Sequence, residues 1–252
     1  MRVETTVRRR HEVLLVLGLS LGQSAVYSVV SLIAKLTKDQ ELSSQQATLN
    51  PSQAPGRPWL DLSLQLLGIL FALVPVGMAY HLLGRDPGRP RLVLGLDRRR
   101  PLLDLGGGAA LAAVIGLPGL GLYLLARELG LNATVVPAAL GEVWWAVPVL
   151  ILAALENALL EEIIVVGYLM TRLRQLAWSP VAVIAASALL RGSYHLYQGF
   201  GAFVGNAVMG VIFALVFLRT RRVGPLIVAH TLLDVVAFVG YAILRDVLPF
   251  LR

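Results

Sequence analysis

Long apolar runs, separated by short polar or arginine-bearing segments, divide this chain almost from end to end. They fall at about 13–34, 60–83, 101–126, 143–171, 180–197, 202–218 and 223–244. A helix of about 18–20 apolar residues crosses the roughly 30 Å hydrocarbon core of a bilayer. The pattern predicts an all-α, polytopic membrane protein with seven transmembrane helices, or eight if 143–171 or 223–252 divides. The first run follows Arg8-Arg9-Arg10, as a signal peptide would. Its apolar stretch, Val13 to Ala34, is too long for such a peptide, and no small-x-small cleavage site follows. It reads as a retained first span.

Composition agrees with this reading. The 252 residues are 57% apolar and 15% charged, with no cysteine. The mean hydropathy is +0.74. Soluble domains average about 25% charged residues, so a single soluble core is excluded, as are intrinsic disorder and a disulfide scaffold. The net charge of +7 does not point to nucleic acid, because no basic cluster is interleaved with aromatics.

Arginine placement sets a direction. With the N-terminus inside, fifteen of the 22 cations fall on inner segments, while Lys35, Lys38, Arg57, Arg127, Arg245 and Arg252 fall outside. That bias follows the positive-inside rule for an N-terminus in the cytoplasm. The polar segment 37–58 reads as an outer loop, and 84–100 as an inner linker that is topogenic and suited to anionic lipid. Residues 1–140 supply spans and loops without catalytic residues, and 141–252 carry the polar core, all within one integral membrane domain. Gly106-Gly107-Gly108 and Gly201-x-x-x-Gly205 read as ordinary close helix packing.

Away from the ends of the spans, ionisable residues are confined to the second half. Glu156, Glu161, Glu162, Arg191, His195, His230 and Asp234 all lie within predicted spans. Each costs at least roughly 2.5–3.5 kcal/mol at a helix centre if charged and unpaired, so the set demands mutual pairing or a wet cavity. His230 and Asp234 are four apart and share a helix face, as do Arg191 and His195. Asn157 sits one turn before Glu161 and is placed to hydrogen-bond it. Glu161 and Glu162 lie about 100° apart around the axis, so only one is expected to face a common centre.

Two carboxylates and two imidazoles are enough to activate water and stabilise a tetrahedral oxyanion. The same four groups, Glu161, His195, His230 and Asp234, also make a zinc set with one open position. Neither a G-x-S-x-G elbow nor H-E-x-x-H occurs. Glu156 reads as structural, Tyr168, Tyr194 and Tyr197 as packing or interfacial residues, and Trp144, Trp145 and Trp178 as aromatic belts.

Three motifs in order carry a resemblance. They are Glu161-Glu162-Ile163-Ile164-Val165-Val166, Arg191-Gly192-Ser193-Tyr194-His195 and His230-Thr231-Leu232-Leu233-Asp234. They resemble E-E-x-x-x-R, F-x-x-x-H and H-x-x-x-N/D of the CPBP family, polytopic CAAX proteases and bacteriocin-processing enzymes. The resemblance covers about residues 150–240. It departs at Val166, where the family has arginine, and at Arg191, where it has phenylalanine. An arginine at 191 can supply the missing charge across the helix interface by pairing with Glu162 or Glu161.

The resemblance implies an intramembrane endopeptidase acting on a protein or peptide substrate, with membrane lipids as the other partner. It implies Glu161 as general base, His195 holding the water, His230 and Asp234 on the oxyanion side, and Glu162 in support; Asn157, from its spacing, and Arg191, as the compensating charge, are read as supporting residues. It leaves zinc and a metal-free glutamate mechanism both open. Two other functions compete: a catalytically silent immunity or scaffold protein on the same fold, and a proton-coupled carrier. The excess of arginine over lysine and the lack of cysteine suggest a prokaryotic inner membrane.

Overall fold

A computed structural model describes residues 2–244, with side chains from Thr6 to Ile243. Arg245 and Arg252, counted above among the outer cations, lie outside the described residues, as does the end of segment 223–252. The chain is helical almost throughout. The first run is not one straight span: α1 (Arg2–Gly18) and α2 (Leu21–Leu36) meet at a 50° bend. Gly18, Ser20 and Gly22 cluster there, and the Ser20 hydroxyl donates 2.5 Å to the Val16 carbonyl, which helps turn the helix. The second run is likewise two helices, α3 (Pro58–Ala72) and α4 (Val74–Leu83). A short α5 (Pro90–Val93) lies in the arginine-rich linker before the long α6 (Pro101–Glu128).

The second half is built from α7 (Ala146–Glu161), a π-helical stretch Glu162–Leu169, α8 (Met170–Gln175), α9 (Pro180–Ser193), α10 (Phe200–Thr220) and α11 (Gly224–Leu244). By length and apolarity, four helices among the described residues can cross a membrane: α3–α4, α6, α10 and α11. The bent α1–α2 pair makes a fifth. The protein is thus a polytopic helical membrane protein, and five of the seven expected runs pass on these grounds. The other two differ for physical reasons. Helix α9 has 14 residues, about 21 Å at 1.5 Å per residue, which falls short of the roughly 30 Å core. The run from α7 to α8 carries Glu156, Glu161 and Glu162, all needing partners inside protein.

Helices α6 and α7 both pack on α11, and α9 packs on α10. Glycine makes two of these approaches possible. A Cβ at Gly108 of α6 would stand 2.6 Å from Val228 of α11, and one at Gly210 of α10 would stand 2.9 Å from the Ala188 Cα of α9. The core they enclose includes Val165, Val166, Tyr168, Phe213, Leu226 and Ala229, all fully buried.

Each end of the bundle is tied by contacts between residues far apart in the sequence. At one end, segment 37–58 is more than a loop. It holds β1 (Gln46–Thr48), paired in parallel with β2 (Thr134–Val136) in the register Gln46 to Thr134. At the opposite end, two arginines expected as loop cations are instead buried. Arg172 pairs with Asp86, lies 3.2 Å from Glu12 and donates to the Leu82 carbonyl at 2.6 Å. Arg222 forks onto Asp104 at 2.8 and 2.7 Å and reaches Asp97 at 2.7 Å. Burial pushes the Asp86 carboxyl up, but hydrogen bonds from Arg9, Arg172 and Gln175 outweigh it and hold it below the usual carboxylate range. The first half of the chain is thereby clamped to the second.

Candidate active site

Helix α7 delivers Glu161 at its last residue, and the π-helical stretch begins at Glu162. That stretch is crowded with β-branched residues, Ile163 to Val166, which lose side-chain freedom in a regular helix. Single π turns inside α-helices recur at functional sites. Both carboxylates are buried, Glu162 completely.

Arg191, itself fully buried on α9, answers both carboxylates. Its Nη1 donates to Glu161 Oε2 at 3.1 Å and its Nη2 to Glu162 Oε1 at 2.6 Å. The guanidinium stem passes beside Gly210, where a Cβ would stand 3.3 Å from Arg191 Cδ. Its charge also lies 5.3 Å from the centre of the Phe213 ring. The adjacent glutamates therefore do serve one centre, against the expectation from their angular separation. The planar fork of arginine reaches each with a different nitrogen, so they need not share a helix face.

Tyr194 adds a second donor to the same oxygen, its hydroxyl lying 2.7 Å from Glu161 Oε2. The sequence reading placed Tyr194 among packing residues. Its only signals were its place beside His195 and three residues beyond Arg191. His195 lies past the end of α9, in a turn before Gly199 (φ +125°), rather than inside a helix. Its Nδ1 stands 3.0 Å from the Arg191 carbonyl. A carbonyl can only accept, so Nδ1 carries the proton, satisfies a carbonyl at the helix end, and leaves Nε2 with a free lone pair.

From α11, His230 turns Nδ1 to Glu162 Oε1 at 2.8 Å, and its Nε2 lies 3.6 Å from Asp234 Oδ2. Asn157 does not bond Glu161 as its spacing suggested. It donates to Asp234 Oδ2 at 3.3 Å, because α11 packs directly on α7. Glu161 interacts electrostatically with His230, Arg191 and His195, so the side chains singled out from sequence gather around it. Glu156, read as structural, also lies in the field of Glu161 and Asp234.

The carboxylates and His230 invite the question of zinc. The ligand atoms that approach within 4.8 Å of one another belong to Glu161, Glu162 and His230, not to the expected set of Glu161, His195, His230 and Asp234. Glu162 Oε2 is buried without a hydrogen-bond partner, a donor such an ion could use. However, Arg191 already stands between the same two carboxylates at hydrogen-bonding distance. A divalent ion there would face a guanidinium at close range, which opposes binding. The set suits zinc poorly.

Residues 143–236 match a family model described as type II CAAX prenyl endopeptidase Rce1-like. The matched segment contains Asn157, Glu161, Glu162, Arg191, His195, His230 and Asp234 and leaves out the first 142 residues. No curated protein and no solved structure matches the chain. The segment is similar to a CAAX-type protease domain, consistent with the CPBP family, and it lies within an integral membrane protein.

Proposed function

We propose that this protein is an intramembrane endopeptidase in which Glu161 activates the attacking water without a metal. The observation that carries the reading is the double anchoring of Glu161 Oε2, by Arg191 at 3.1 Å and Tyr194 at 2.7 Å. With that oxygen occupied, Oε1 is assigned to the water, and the free lone pair of His195 Nε2 accepts the water's second proton in a hydrogen bond. Glu161 takes one proton as the water oxygen bonds to the scissile carbonyl carbon. An N–H on His230 Nε2 donates to the oxyanion, with Asp234 beside the ring to orient it. Collapse of the tetrahedral species breaks the C–N bond, and Glu161 returns its proton to the leaving amine. Glu162 orients Arg191 and His230 and touches neither substrate nor water.

Reconstitution into vesicles with candidate membrane peptides tests this. Cleavage is expected to continue at full rate after treatment with a zinc chelator. Loss of cleavage that zinc alone restores would overturn the metal-free mechanism. A folded wild-type protein that cleaves no peptide, and whose Glu161→Ala variant traps no substrate from membranes, would favour the silent scaffold instead.

The arginine bias supports a cytoplasmic N-terminus and a cytoplasmic Arg172–Arg222 end, in keeping with a prokaryotic inner membrane. The chain has no cysteine, so single cysteines can report its orientation. A thiol reagent that cannot cross the membrane is expected to label Ser44→Cys on intact cells and to spare Arg98→Cys. The reverse pattern would invert the assignment.

A further inference from the structure

A groove of about 630 Å³ runs between α1 and α4, well away from the catalytic residues. Val7, Leu15, Met78 and Leu82 form its apolar wall, and Leu15 is 63% exposed. Arg8, Arg85 and His11 lie at its polar end, with Glu12 between them. Both arginines reach toward Glu12 Oε1, Arg8 at 3.3 Å and Arg85 at 4.0 Å, and their side chains remain 48% and 50% exposed. The other Glu12 oxygen lies 3.2 Å from the buried Arg172. One carboxylate is thus shared among three guanidinium groups. Among the described residues of this groove, the two exposed arginines keep positive charge that Glu12 does not cancel.

We propose that this groove binds one anionic phospholipid, its phosphate on Arg8 and Arg85 and one acyl chain along Leu15, Met78 and Leu82. Charge complementarity selects the headgroup, because guanidinium forks match phosphate oxygens in pairs. The apolar wall selects a lipid over a soluble phosphate, which would gain nothing from Val7, Leu15 or Met78. Position agrees. Along α1 the charged residues around Arg8 give way to Leu14 and Leu15, and Arg85 follows closely on the apolar α4, the depth at which a headgroup meets its chains. The site is separate from the arginines of 89–100, which attract anionic lipid only as diffuse surface charge.

The full-length protein in phosphatidylcholine vesicles, with spin-labelled phosphatidylglycerol or spin-labelled phosphatidylcholine as probe, tests the proposal. A motionally restricted fraction is expected to favour phosphatidylglycerol. Arg8→Gln and Arg85→Gln are each expected to weaken it about fivefold. Arg91→Gln, in the linker away from the groove, should leave it unchanged, and glycerol phosphate in solution should not displace the lipid. Equal restriction of the two lipids would overturn the site. So would an equal loss in Arg91→Gln, which would show diffuse surface charge, or displacement by glycerol phosphate, which would show a plain phosphate site. Should Arg85→Gln fail to fold by circular dichroism, Arg8→Gln decides alone, since Arg8 touches only Glu12 among the ion pairs described.

Discussion

Replacing Glu161 by glutamine is expected to lower kcat for peptide cleavage by about 10²–10⁴-fold, the range for loss of a general base. Glutamine has the same shape, and its amide oxygen still accepts from Tyr194 and Arg191. It cannot take a proton. The carboxylate touches water rather than the peptide, so KM should barely move and the loss should sit in kcat. Glu162→Gln makes the comparison informative. It leaves the water's base in place but weakens the hold on Arg191 and His230, so its effect should be smaller and accompanied by lower thermal stability. Steady-state kinetics of the two variants in vesicles read both outcomes. If Glu161→Gln kept the wild-type kcat while Glu162→Gln lost it, the roles given to the two glutamates would be reversed.

The second large effect is on stability. Arg191→Phe restores the residue common in the family but strips two buried carboxylates of their shared counter-charge. Breaking a buried ion pair from one side costs about 3–5 kcal/mol, because the partner is left buried and alone. Val166, fully buried, stands where the family has its arginine. Adding Val166→Arg to Arg191→Phe moves the cation from the neighbouring helix back to the glutamates' own helix. The double variant is expected to regain most of the unfolding free energy lost by the single one, and cleavage with it. Denaturant unfolding in detergent measures this, and no recovery in the double variant would sink the exchange.

Much of this arrangement was legible because it repeats along single helices. Apolar runs marked the helices, and four-residue spacing put His230 and Asp234 on one face. The pairing of Arg191 with the glutamates followed from the family resemblance, which set a missing charge at 166 against a surplus one at 191. What spacing could not show were partners joined only by packing. Asn157 meets Asp234 from 77 residues away, and Arg172 meets Asp86 from 86. Tyr194 was hidden for a related reason. Where α9 ends decides which way residues 194 and 195 point, and no cap residue in the sequence announces that end. The bend at Ser20 and the pairing of β1 with β2 lay inside segments read only as apolar or polar.

The position of Arg191 also bears on how the protein is made. Arg191 follows Glu161 by 30 residues, so at about 5–20 residues per second the ribosome delivers it roughly 1.5–6 s later. An arginine at 166 would emerge almost together with the glutamates. During the interval, α7 carries carboxylates that cost at least roughly 2.5–3.5 kcal/mol each at a helix centre, without the cation that later satisfies them. Released alone into lipid, it would bear that cost in full. Entry of α7 and α9 into the bilayer as a pair would spare the chain that cost, a consequence of placing the cation 30 residues from the carboxylates it serves.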